Sequence, residues 1–190
     1  YSNAGSSFPF GRDLVVDGFV FYAAGTQTWD SIVVTNGGKI TCAEAASATA
    51  TNKIHLEANR IVVSTNSSID ASGVSRRESS GNSNSGGSYG GRGGYYSTWG
   101  FSGPTYGSLT EPVDMGTRSM NTADVGLGGG VIYVKANELV LDGAIRSSGS
   151  NAPSYTGSGG SVWLDVGTLR GAGSVAANGG NGHSSYSMSG

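Results

Sequence analysis

Ile54-His55-Leu56-Glu57-Ala58, followed by Ile61-Val62-Val63, can be laid on two later stretches of the same chain. These are Ile132-Tyr133-Val134-Lys135-Ala136 with Leu139-Val140-Leu141, and Val162-Trp163-Leu164-Asp165-Val166 with Leu169. In each, the second apolar anchor stands seven residues after the first. Another apolar residue follows (Ile69, Ile145, Val175), and then a step of small or polar residues ending at Gly73, Gly149 or Gly179. Within each unit apolar and polar residues alternate, and period two marks a strand with one buried face. A unit of short strands and tight corners that returns along a chain predicts a solenoid, because no unit can bury its apolar face without a neighbour.

Two partial copies precede the three full ones. Leu14-Val15-Val16-Asp17-Gly18 with Val20 matches Leu139-Val140-Leu141-Asp142-Gly143 with Ile145. Ile32-Val33-Val34 leads to Ile40 through Asn36-Gly37-Gly38, as Ile61 leads to Ile69 through Asn66-Ser67-Ser68. Asn36-Gly37 is also the main two-residue hairpin signal in the chain. Elsewhere like residues recur at like positions, and those stack most directly when successive turns run parallel. No segment carries a sustained, capped 3.6-residue period, and the alanine-rich residues 43–50 read as a loop or one short turn. The expected fold is therefore all-β, a parallel β-helix with a long glycine-rich loop insertion. The expected layout is one domain: a lead-in or cap at 1–12, first rungs at 13–73, an insertion at 74–130, last rungs at 131–182 and a tail at 183–190. The inward column would hold Ile54, Leu56, Ala58, Ile61, Val63 and Ile69, with its counterparts up to Val162, Leu164, Val166, Leu169 and Val175.

Composition narrows the partners. Glycine supplies 34 of 190 residues, only 13% are charged, and the net charge is -2. That balance argues against nucleic acid bound through its phosphates and against a polybasic membrane contact. No run of ~18 apolar residues predicts a membrane span. Tyr1-Ser2-Asn3-Ala4-Gly5 shows no signal-peptide pattern, so the chain reads as a mature or excised piece of a longer one. Cys42 stands alone: a small buried hydrophobe, or a thiol for an intermolecular bridge. Asn66-Ser67-Ser68 is a glycosylation triplet.

The insertion departs from the repeat. It runs through Ser85-Gly86-Gly87-Ser88-Tyr89-Gly90-Gly91-Arg92-Gly93-Gly94-Tyr95-Tyr96 and ends near Gly128-Gly129-Gly130. It carries Tyr89, Tyr95, Tyr96, Trp99, Phe101 and Tyr106, whereas flexible linkers are poor in aromatics. Three readings remain open: a long surface loop over the flank, a recognition or self-assembly surface, or an RNA-binding Arg-Gly-Gly segment around Arg92. The last lacks the basic background that single-strand binding uses.

These glycine-rich motifs, together with Leu141-Asp142-Gly143-Ala144-Ile145, Gly157-Ser158-Gly159-Gly160-Ser161-Val162-Trp163-Leu164 and Gly171-Ala172-Gly173-Ser174-Val175, give the chain a family likeness over about residues 54–182. It resembles the glycine-rich β-helix repeat modules of large extracellular and surface proteins of bacteria and of several unicellular or algal eukaryotes. The resemblance implies an extracellular adhesive or scaffold role and brings no catalytic residues with it.

No signature of catalysis rises above that background. His55 and His183 are far apart and have one cysteine for company, which is poor material for a zinc site. Gly157-Ser158-Gly159 sits at a repeat corner, and no glycine run leads into Lys-Ser/Thr. A β-helical polysaccharide-degrading enzyme would need clustered carboxylates, for which Glu57, Asp165 and Lys135 are the candidates. In the expected register these three share one outward position and read equally as a cross-strand charge ladder. His55, Tyr133 and Trp163 share another and would form a flat aromatic stripe at about 4.8 Å spacing. The expected function is a non-enzymatic structural or adhesive protein, extracellular or at the cell surface, that associates with itself into a fibre or layer. No cofactor or metal is expected. The alternatives are a carbohydrate-binding module that presents His55, Tyr133, Trp163 and the insertion's aromatics to a glycan or cell-surface partner, and the polysaccharide-degrading enzyme.

Overall fold

A computed structural model describes residues 12–50, 52–78, 81, 85–95, 101–120, 125–153 and 155–182. Ten strands are present and, among the described residues, no helix. They alternate between long and short: β1 (Asp13–Asp17), β2 (Val20–Tyr22), β3 (Thr26–Thr35), β4 (Lys39–Thr41), β5 (Lys53–Val63), β6 (Ser68–Asp70), β7 (Val131–Leu141), β8 (Ala144–Arg146), β9 (Ser161–Arg170) and β10 (Ser174–Ala176). The odd-numbered strands form one five-stranded sheet in the order β1-β3-β5-β7-β9, and the even-numbered strands a second in the order β2-β4-β6-β8-β10. Every ladder within both sheets is parallel. The chain thus returns to the same sheet with every second strand, and successive units lie side by side in chain order. The helix-free reading of residues 43–50 holds: they form bends and a turn.

The repeat alignment is reproduced in the ladders. Leu14, Ile32, Ile61, Leu139 and Leu169 face one another across the long sheet. Ile32, Ile61 and Leu139 are fully buried, as are Ile40, Ile69 and Ile145 of the short sheet, and both sheets contribute to one apolar core. Two details differ from the sequence reading. Phe21, not Val20, pairs with Ile40 and packs on the core, while Val20 is exposed. The second unit is also not partial, since β3 extends back to Thr26 and sets Gln27 opposite Leu56 and Trp29 opposite Ala58. Gln27 is buried there and donates from Nε2 to the Ala24 carbonyl at 2.6 Å, which satisfies an amide in an otherwise aliphatic column.

The alternation is not carried through the long strands. Seven is odd, so a spacing of seven cannot keep both anchors on one face of a regular strand. The parity changes at Asn59-Arg60, where two consecutive residues are exposed between Ala58 and the buried Ile61. Aligned Asp30, Asn59, Asn137 and Gly167 are each skipped in the ladder register. An irregularity repeated at one place in every strand bends the whole sheet along a line across the strands.

The corners are tight. Asn36 and Gly37 both adopt left-handed conformations, and Gly38 donates to the Thr35 carbonyl at 2.8 Å. This turn carries the chain from one sheet to the other and does not make a hairpin. Asn66 is left-handed in the equivalent turn between β5 and β6.

Between β6 and β7 the described residues build a second kind of interior. Gly116 N–H donates to Gly129, Gly129 to Ser158, and Ser158 to Thr117, at 2.9, 2.9 and 3.0 Å. Gly87 joins them through the Thr156 carbonyl at 2.9 Å. Segments far apart in sequence thus bond through their backbones outside any named strand. Ser75, Ser85, Ser119, Ser147 and Thr156 have no exposed surface there. Ser75 donates from its hydroxyl to the Gly116 carbonyl at 2.6 Å, and Ser147 to that of Gly130 at 2.7 Å. Approach is this close because the facing residues are glycines: a Cβ at Gly157 would overlap the Leu127 carbonyl oxygen, and one at Gly129 the Ser147 carbonyl oxygen. The described part of 74–130 is therefore packed against residues 147–160.

Candidate functional site

The long sheet's outward face carries the side chains with chemistry. His55, Tyr133 and Trp163 lie opposite one another on β5, β7 and β9. Their ring centroids are 4.7 and 5.0 Å apart. The interplanar angles are 83° and 69°, so the rings meet edge to face and do not form the flat stripe expected from the sequence. Edge-to-face contact is the arrangement that ring quadrupoles prefer. His55 is held from both sides, by the Thr26 hydroxyl at 3.1 Å and by Glu57 Oε1 at 2.9 Å.

Two residues further along each strand, on the same face, stand Glu57, Lys135 and Asp165. Their register is as expected, but they do not form a charge ladder. Glu57 turns to His55, and Asp165 accepts from the Tyr133 hydroxyl at 3.3 Å. The Lys135 ammonium has no ion pair among the described residues. Loss of water contact, followed by the negative charges of Asp165 and Glu57, raises the Tyr133 phenol above its ordinary range. The ion-paired groups lie further on instead: Arg60 and Glu138, each three residues on, meet at 2.9 Å (Nε to Oε2), and Arg170, five residues beyond Asp165, reaches Glu138 Oε1 from its Nε at 3.4 Å. Between these columns, at the bend, Asn137 Nδ2 donates to Asn59 Oδ1 at 3.2 Å. Asp30, Glu57, Asn59, Lys135, Asn137 and Asp165 line a shallow depression of about 350 Å³ there. The sequence reading missed this depression; its available signal was the odd spacing of seven.

The insertion's aromatics divide. Tyr89 and Tyr106 are half-buried and lean on each other at 4.9 Å. The Tyr89 hydroxyl meets Ser161 Oγ at 2.6 Å, and that of Tyr106 donates to the Met115 carbonyl. The Arg77 guanidinium lies 4.2 Å from the Tyr106 ring centre and pairs with Asp114 at 2.8 Å. Burial, opposed by the Arg77 charge, raises the Tyr106 hydroxyl well above its usual value. These two rings anchor the insertion to the start of β9 and offer little free surface. Tyr95 and Phe101 are exposed, while Tyr96, Trp99 and His183 lie outside the described residues.

Cys42 is enclosed in the core. Burial, reinforced by the charge of Asp70, pushes its thiol up to about 11. Its side chain packs among the apolar residues of the core. Asn66 is exposed at its turn. Among the described residues no three of His, Cys, Asp and Glu converge as metal ligands, and no helix is long and apolar enough to cross a membrane. Comparison with protein-family models, with curated proteins and with solved structures finds no match.

Proposed function

We propose that the chain is a parallel β-helix acting as a non-enzymatic structural or adhesive module outside the cell, and that it associates with a second copy of itself through the β9/β10 end. The strands' regular alternation between two parallel sheets around one core supports the coil. The observation that carries the association is a contrast between neighbours in two ladders. Leu139 is 0% exposed, whereas Leu169, beside it on β9, is 54% exposed. Ile145 is 0% exposed, whereas Val175, beside it on β10, is 47% exposed. Among the described residues, none pairs with β9 or β10 on the side away from β7 and β8, where the expected inward column reaches the last unit. Val162, Leu164 and Val166 are likewise only partly buried.

β9 and β10 are the outer strands of their sheets, and outer strands offer unpaired backbone groups to another chain. β1 is also outermost, yet its inward Leu14 and Val16 are buried. One open end favours pairing two copies about a two-fold axis, which closes after two; a filament further requires the β1 end to accept a strand. The extracellular placement rests on the low charge, the glycine-rich resemblance and the exposed Asn66 triplet.

Sedimentation velocity over a wide concentration range tests the association. The expected result is a monomer–dimer equilibrium that Leu169→Lys with Val175→Lys converts to monomer. A parent chain that is monomeric at every concentration, or a double variant that still pairs, overturns the proposal.

A further inference from the structure

We propose that the bend of the long sheet is a binding site for an uncharged polysaccharide chain, laid along the outward face across β5, β7 and β9. Three columns run in parallel over those strands. One is aromatic (His55, Tyr133, Trp163), the next is charged (Glu57, Lys135, Asp165), and the third, at the bend, holds the amides of Asn59 and Asn137. The depression of about 350 Å³ lies over the second and third columns.

Its polar groups suit hydroxyls, which both donate and accept. Lys135 keeps its ammonium hydrogens free of any carboxylate among the described residues. The single bond between Asn59 and Asn137 leaves Asn59 Nδ2 as a donor and Asn137 Oδ1 as an acceptor without partners there. The carboxylates Asp30, Glu57 and Asp165 supply acceptors and outnumber the one ammonium. That surplus repels an acidic polysaccharide and leaves a neutral one unaffected. The aromatic column offers apolar ring surface beside the polar floor, the pairing that the two sides of a sugar ring require.

Spacing selects a chain over a single sugar. Neighbouring strands repeat at about 4.8 Å, close to the length of one pyranose in an extended polysaccharide. On β5 and β7 the outward side chains then repeat as a ring, a charged group and, at the bend, an amide; β9 continues the first two columns with Trp163 and Asp165 and has Gly167 at the bend.

Affinity electrophoresis in gels containing hydroxyethylcellulose, glucomannan or mixed-linkage β-glucan, with alginate as the acidic comparison, tests the site. At least one neutral polymer is expected to retard the protein, and alginate is not. Tyr133→Ala, Trp163→Ala and Asn137→Ala are each expected to weaken the retardation constant by about tenfold. Asn137 is exposed, so its variant keeps the fold even if an aromatic variant does not. No retardation by any neutral polymer, retardation by alginate alone, or an Asn137→Ala protein that binds as the parent does would each overturn the proposal. The Leu169→Lys/Val175→Lys chain is expected to bind like the parent; loss of binding there would place the site at the open end and refute the bend. The two proposals therefore fail separately.

Discussion

The sheets and the glycine-rich layer beside them exclude water by opposite means. In the sheets, aliphatic side chains fill the interior: Ile32, Ile61, Leu139, Ile69 and Ile145 are all fully buried. In the layer, side chains are mostly missing, and glycine backbones meet with serine and threonine hydroxyls between them. The first interior is held by apolar area, which tolerates modest changes of shape. The second is held by hydrogen bonds between N–H, carbonyl and hydroxyl groups, and one buried group left unpaired costs its full desolvation. The difference predicts how each region breaks.

The largest effect falls in the aliphatic core. Ile132→Ala removes a side chain with no exposed surface and is expected to cost about 2–5 kcal/mol in urea-induced unfolding. Leu169→Ala, at the end of the neighbouring ladder, is expected to cost under about 1 kcal/mol, because half of that side chain already faces water. Equal losses at the two positions would show that the β9 end is covered in solution.

Gly157→Ala ranks next. Its Cβ would overlap the Leu127 carbonyl oxygen, backbone that cannot swing aside as a side chain could. The expected loss is about 1–3 kcal/mol. Its distribution separates it from the core variant. Hydrogen exchange should show protection lost first at Gly129, Ser158 and Gly180, with β5 and β7 retained, whereas Ile132→Ala should weaken all of them together. A uniform loss in Gly157→Ala would mean that layer and sheets unfold as one unit.

The same contrast explains what could be read from the sequence. The aliphatic columns were legible because burial of side chains leaves a periodic imprint: Ile54, Ile61 and Ile69 recur as Ile132, Leu139 and Ile145. Legibility failed where another residue type met the same need, as at Gln27 and Trp29, which hid the first half of β3. It also failed at Val20, because the corner after β1 is one residue longer than the corner after β7 and hands the inward place to Phe21. The glycine layer was not legible at all. Its contacts join backbones of Gly87, Gly116, Gly129 and Ser158, and a backbone contact selects only for the absence of a side chain. In the candidate site the columns were legible by register, but partner choice was not: His55 sits within reach of Glu57 on its own strand, so Glu57 pairs there and leaves Lys135 free.

The smallest expected effect lies in the short sheet, at an ion pair between neighbouring strands. Lys39 Nζ approaches Asp70 Oδ2 at 3.0 Å, and Ser72 N–H donates to Asp70 Oδ1 at 2.9 Å. Burial by itself would raise the Asp70 carboxyl. Hydrogen bonds from Ser72 and the Lys39 charge outweigh it and hold the group below its ordinary 3.8. A carboxyl lowered by folding stabilises the fold at pH values above its unfolded value, and the contribution is lost as pH falls through the lower folded value. Lys39 is 39% exposed, so screening limits the contribution to under about 1 kcal/mol. Asp70→Asn keeps an acceptor for Ser72 and removes only the charge. Its stability deficit in urea titrations should therefore be constant near neutrality, shrink below about pH 4, and fade with added salt. A deficit that persists unchanged in acid would assign the role of Asp70 to hydrogen-bond geometry and leave the ion pair without weight.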